Sequence, residues 1–112
     1  MENALDRPAM SFANRQFVLI DGQNSVALAV EAMQAKSSDT IIVIHRGAPV
    51  GIVTDSDILD KVVTAGGDSD HIILRSIMTS PIITAGRKAT VREVLRLMRF
   101  YKIKRVPIIE GE

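Results

Sequence analysis

Cysteine and tryptophan are absent from this 112-residue chain, and three Phe and one Tyr are its only aromatic residues. Without thiols there is no disulfide framework and no thiolate metal site, a composition that fits a reducing cytoplasm. No stretch approaches 18 uninterrupted apolar residues, and the N-terminal MENALDRPAM lacks the apolar run of a secretory leader. No membrane span is therefore expected. The two histidines, His45 and His71, stand apart from each other and from clustered carboxylates, so no metal site is expected. Neither G-x-x-x-x-G-K-[ST] nor G-x-G-x-x-G occurs, and nothing orders Ser, His and Asp into a nucleophilic set. The reading is of a chain that is not an enzyme and that needs no cofactor.

What is present is an aliphatic core in the making. Hydrophobic residues make up 46% of the chain, chiefly Ile, Val, Leu, Ala and Met, enough for one modest domain or two small ones sharing a core. The net charge is only +1, but from Arg75 to Arg105 nine basic residues stand against Glu93 alone. The remainder carries five basic and twelve acidic residues. Such polarity points to an anionic ligand, an acidic partner or attraction between the halves.

A shift of 65 positions superposes SVALAVEAM (25–33) on TVREVLRLM (90–98) and TIIVIHRG (40–47) on RVPIIEGE (105–112). FVLI (17–20) falls on IITA (82–85). This duplication fixes the architecture before any single motif does. Each repeat begins with a short apolar strand, Phe17–Ile20 or Ile82–Thr84, followed by an Asp-Gly or Ala-Gly turn. A helix follows, capped by Ser25 or Thr90, with Val26, Ala29, Val30 and Met33 or Val91, Val94, Leu95 and Met98 on its inner stripe. Thr90-Val-Arg-Glu93 reads as a capping box. A β-branched strand comes next, Thr40–Ile44 or Arg105–Ile109. In the first repeat, Arg46–Pro49 turns into a third strand, Val50–Val53, and Thr54 opens a helix over Asp55–Thr64. The second repeat stops at Glu112, without its third strand and last helix.

The stretch GIVTDSD (51–57) ends a strand in a hydroxyl and then two carboxylates. Thr54 and Asp57 can form a capping box, and the same residues, with the free N–H groups of a helix start, can converge on a ligand. These residues, with IMTSPIIT (77–84), VLRLMRFYKIKRVPII (94–109) and the 65-residue period, resemble the cystathionine-β-synthase (CBS) domain pair, or Bateman module. The resemblance spans roughly residues 8–112. It implies an α/β (α+β) fold of two β-α-β-β-α units related by pseudo-twofold symmetry, the second lacking its last strand and helix. The domains would be 8–67 and 81–112, with 68–80 as linker and lead-in. Two departures stand out: the second repeat has no G-h-x-T-x-x-D, and the first lead-in, MSFANRQF (10–17), lacks the Pro found at Pro81.

The resemblance implies a regulatory module that binds AMP, ADP, ATP or S-adenosylmethionine in the cleft between its domains and acts on an attached enzyme or transporter. Asp57 would accept from the vicinal ribose hydroxyls, Thr54 would donate to a phosphate, and Ser56 would add a hydroxyl. Backbone groups of the Thr79–Ile83 loop, around Pro81, would read the adenine edge, and Ile52, Ile82 and Ile103 would sandwich the ring. Lys104 and Arg105 match the family's phosphate-facing positions. The competing readings are a nucleic-acid-binding module using the basic segment 75–105 and a purely structural dimerisation unit. Arg92, Arg96 and Arg99 form a basic helical stripe whose plain reading is a solvated face. The abrupt end at Glu112 leads to two expectations: truncation of a longer chain, and a homodimer in which a second copy covers the face of Val91, Val94, Leu95 and Met98.

Overall fold

The computed structural model describes residues 3–110, and its contacts divide them into two units, residues 15–82 and residues 3–14 together with 83–110. Gly111 and Glu112, the last positions of the repeat, lie outside the described residues.

In the unit of residues 15–82, Val18–Asp21 (β1) turns Val18 and Ile20 inward and leaves Leu19 and Asp21 exposed. Val26–Lys36 (α1) then crosses over to Thr40–His45 (β2), which pairs parallel with β1. Ala48–Thr54 (β3) completes the sheet antiparallel to β2, in the order β1-β2-β3. The central strand is buried on both faces at Ile41, Ile42 and Val43. The β2–β3 loop is only Arg46-Gly47, both at positive φ (52° and 77°), the type I′ geometry that suits strand twist. The four-residue turn expected over Arg46–Pro49 is thereby shortened. Pro49 enters the edge strand instead, opposite Ile44 beside a register shift, where a missing N–H is tolerated.

Asp55–Ile58 (α2) follows Thr54 directly. It does not run on as a regular helix to Thr64. Over Leu59–Val63 the turns widen, with Thr64 N–H bonding Leu59 O at 2.8 Å and Gly67 N–H bonding Val62 O at 2.8 Å. Val62 is buried in consequence, while Leu59 and Val63 face out. The core joins Val18, Ile20, Val26, Ala29, Met33, Ile41, Val43, Val53, Val62, Leu74 and Ile77.

The other unit is slighter. Ala85–Gly86 (β4) and Ile108–Ile109 (β5) form a two-residue parallel pair on either side of Val91–Tyr101 (α3). The strand expected over Ile82–Thr84 therefore does not form. The Ala-Gly expected as a turn is the strand itself, and Arg105–Ile109 is extended by pairing only at its end. Among the described residues β5 pairs with β4 alone. Thr90 caps α3 through its hydroxyl, accepting from Glu93 N–H at 3.2 Å, without the reciprocal half of the expected box. Ala9, Ala85 and Val94 are buried there, ringed by half-buried Val91, Leu97, Met98, Val106 and Ile108. Of the face expected to lie bare, only Leu95 stays exposed, at 42%.

The repeat explains this division of the chain. Each unit takes its lead-in segment from the other repeat. Leu74 N–H bonds Asn24 O at 3.0 Å and Val26 N–H bonds Ile72 O at 2.8 Å. Sixty-five positions away, Ala9 N–H bonds Ala89 O at 2.9 Å and Val91 N–H bonds Arg7 O at 3.0 Å. The bridges Ser25↔Ile73 and Pro8↔Thr90 match in the same way. So do the turns opened by Asp68, whose Oδ1 accepts from Asp70 N–H at 3.0 Å, and by Asn3, whose Oδ1 accepts from Leu5 N–H at 2.9 Å. At both helix starts the lead-in carbonyl satisfies an N–H that the helix cannot pair itself. The boundaries 8–67, 68–80 and 81–112 follow the duplication along the sequence. In space, residues 68–82 pack with the first repeat and residues 3–14 with the second.

Candidate functional site

The segment Gly51-Ile52-Val53-Thr54 is the inner end of β3, and each residue has a separate task. A Cβ at Gly51 would lie 2.5 Å from Met78 Sδ and 3.0 Å from Thr79 O, so only glycine lets the lead-in segment approach this closely. Ile52 then pairs with Thr79 in both directions, Ile52 N–H to Thr79 O at 3.1 Å and Thr79 N–H to Ile52 O at 2.9 Å. Val53 points into the core, fully buried. Thr54 ends the strand and begins α2.

The capping box between Thr54 and Asp57 is formed. Thr54 N–H donates to Asp57 Oδ2 at 2.9 Å, and Asp57 N–H donates to Thr54 Oγ1 at 3.4 Å. The Thr54 hydroxyl also donates to Asp57 Oδ2, at 3.2 Å. The other carboxylate oxygen, Oδ1, faces Lys61 Nζ at 3.4 Å. Lys61 in turn donates to Ile77 O at 2.8 Å. One ammonium thus bridges the Asp57 carboxylate and the lead-in segment. Asp57 is well shielded, with 18% of its side chain exposed, which fixes its orientation and leaves one edge open.

Two expectations change here. The start of α2 offers no free N–H groups for a phosphate: Asp55 N–H bonds Asp39 O at 3.2 Å, Ser56 N–H bonds Asp55 Oδ1 at 2.8 Å, and Asp57 N–H is capped. The Thr79 N–H is likewise engaged by Ile52, so adenine-edge recognition at that residue is limited to the second lone pair of its carbonyl. Sequence reasoning overlooked Lys61. Its signal was the Asp57-x-x-x-Lys61 spacing of a helical ion pair. The widened turn that follows α2, and the reach to Ile77 O, carried no signal.

The remaining candidates fall in both units. Ile52, Thr54, Ser56, Asp57, Thr79, Pro81 and Ile82 belong to the unit of residues 15–82, with Ile52 and Ile82 half-buried and Ser56, Thr79 and Pro81 exposed. Ile83, Ile103, Lys104 and Arg105 belong to the other. There Ile103 follows the left-handed Lys102 and its N–H bonds Met98 O at 3.0 Å, Lys104 is exposed, and Arg105 is half-buried. Among the described residues no cluster of His, Asp and Glu could hold a metal ion, and no helix is long and apolar enough to cross a membrane.

Comparison with known proteins agrees with this geometry. The CBS domain family model matches residues 9–64 and 74–112. An uncharacterized protein of Methanopyrus kandleri is 33% identical over 88 residues, 79% of this chain and 45% of that protein. Inosine-5'-monophosphate dehydrogenase of Halobacterium salinarum is 35% identical over 107 residues, 85% of this chain and 20% of the dehydrogenase. The structure of a hexameric CBS-CP12 protein from bloom-forming cyanobacteria superposes with a TM-score of 0.83 at 34% identity, covering 93% of this chain and 61% of that one. The chain spans less than half the length of the curated relatives it matches. CBS domains are regulatory modules that commonly bind adenosine ligands. With two matched segments, a duplicated unit and the Gly51–Asp57 turn in place, this chain belongs to the CBS domain family, as a tandem pair.

Proposed function

We propose that this chain is a non-catalytic sensor of adenosine-containing nucleotides, with AMP, ADP, ATP and S-adenosylmethionine as the candidate ligands. The observation that carries the reading is the Asp57 carboxylate. One oxygen is pinned by Thr54, and the other is held at the open edge against Lys61. A ribose diol would displace the Lys61 ammonium and take two charge-assisted hydrogen bonds in its place. Because the N–H groups at the start of α2 are engaged, phosphate recognition in this reading falls to the basic pair Lys104 and Arg105. A cytoplasmic location and action on a regulated enzyme or transporter belong to the same reading.

Self-association belongs to it as well. The helical surface of the first unit exposes Leu28, Leu59 and Val63, at 47%, 56% and 61%. A second copy would remove that apolar area from water. Calorimetric titration with the four ligands tests the function: heat from one supports it. Silence from all four, combined with salt-sensitive binding to RNA or DNA, would favour a nucleic-acid module instead. Lys104→Ala is expected to weaken binding more as phosphates are added to the ligand. Sedimentation at micromolar concentration tests the dimer, and a compact monomer there contradicts it.

A further inference from the structure

The chain already shows how α3 receives an acidic, apolar segment. The turn Ala4–Asp6 brings Leu5 against the helix, and Asp6 Oδ1 accepts from Arg92 Nε at 3.3 Å. Leu5, Arg92, Leu95, Arg96 and Arg99 together line one hollow of about 200 Å³. Only Arg92 has its carboxylate. Arg96 and Arg99 are exposed and have no acidic partner among the described residues, and Leu95 beside them is 42% exposed. The three arginines sit at i, i+4 and i+7, a spacing that spans about 10 Å along one helix face.

We infer that this hollow is a docking site for an acidic, leucine-bearing helical segment of another protein, whose carboxylates continue along Arg96 and Arg99 the pairing that Asp6 makes with Arg92. Arginine forks favour carboxylates, and the two leucines of the same hollow favour a partner that brings apolar side chains with its charge. A phosphodiester backbone has nothing to place on Leu5 and Leu95. This chain's own helices do not supply the complement. Among the described residues α1 holds only Glu31 and α3 only Glu93, and of Asp55, Asp57 and Asp60 the first accepts from Ser56 N–H and the second is engaged by Thr54 and Lys61. The inference is independent of nucleotide binding.

The test is fluorescence anisotropy with a labelled helical peptide bearing Leu and Glu on one face and Ala elsewhere, set against a scrambled peptide of equal composition. The ordered peptide is expected to bind about tenfold more tightly than the scrambled one, and Arg96→Glu or Arg99→Glu to remove that advantage. Both arginines are exposed, so the variants should fold, and Arg87→Glu outside the hollow should leave binding unchanged. Equal binding of ordered and scrambled peptides would overturn the inference. So would displacement of the peptide by single-stranded RNA at lower concentration, or dissociation of a self-assembled form by Arg96→Glu, which would make the occupant a second copy.

Discussion

The first unit closes a three-stranded sheet over eleven buried apolar side chains, whereas the second holds a two-residue strand pair over three, among the described residues. Both are built from the same sequence pattern, and both accept a lead-in segment from the other repeat through matching hydrogen bonds. Their left-handed helix ends even coincide, at Ser37 (φ 51°) and Lys102 (φ 56°), sixty-five positions apart. The difference is β3 and α2. That hairpin strand, the helix and the widened turns after it bring a third strand, the Val53 and Val62 part of the core, and the Thr54, Asp57 and Lys61 side chains of the site. In the second unit the helix and the lead-in form in the same way, and among the described residues they stand beside a two-residue strand pair alone.

Core truncation should reveal the asymmetry most strongly. Ile41→Ala and Leu74→Ala, both at fully buried positions, are expected to cost roughly 2–5 kcal/mol each. Val94→Ala in the second unit should cost less, about 1.5–2.5 kcal/mol, because its surroundings are only half-buried. Urea unfolding of the three variants checks this, and equal losses would break the comparison. Gly51→Ala comes next, at about 1–3 kcal/mol, since the new methyl meets Met78 and the Thr79 carbonyl. Gly86→Ala has nothing within 4 Å of its added Cβ and should change stability little. Ser25→Ala and Thr90→Ala remove equivalent caps and should each cost about 1 kcal/mol, which thermal melts can compare directly.

The smallest effect is one of pH. His71 Nδ1 and Asp68 Oδ2 lie 2.7 Å apart, and their hydrogen bond raises the His71 pKa and lowers that of Asp68. The His71 contribution is complete below its unfolded pKa, near 6.5, and fades as pH rises through the raised folded value. The Asp68 contribution is complete above its unfolded pKa, near 3.8, and fades as pH falls through the lowered folded value. The pair therefore acts fully between about pH 4 and pH 6. In the second unit the equivalent residues are Asn3 and Asp6, and Asp6 pairs with Arg92 instead. His71→Ala should thus slightly lower the melting temperature at pH 5.5 and have less effect at pH 8.

The period of 65 residues, the Ser25 and Thr90 caps, the inner stripe of α1, that of α3 except for the exposed Leu95, and the Thr54–Asp57 box were legible, because each is a local or repeating pattern. What was illegible came from partners distant in sequence. Pro49 read as a turn residue until the positive φ values of Arg46-Gly47 took the turn for themselves. Ile82–Thr84 read as a strand from its short apolar run, yet the pairing with β5 fell one step later, at Ala85–Gly86. The crossing of the lead-in segments has no sequence signal at all, since Arg7 and Ile72 act through their carbonyl oxygens. Lys61 was half legible, as an ion-pair spacing without its second contact. The ligand role of Asp57 rests on resemblance and on its geometry together.

Calorimetric titration of the preferred adenosine ligand into the wild type and Asp57→Asn tests the central claim most directly. The carboxamide oxygen still accepts from Thr54 N–H, so the cap and the melting temperature should hold. The charge that would bind the ribose hydroxyls is gone, so affinity should fall about tenfold or more, as for a lost charge-assisted hydrogen bond of about 1.5–3 kcal/mol. If Asp57→Asn binds the ligand as tightly as the wild type does, Asp57 is a helix cap alone and the account of the site is wrong.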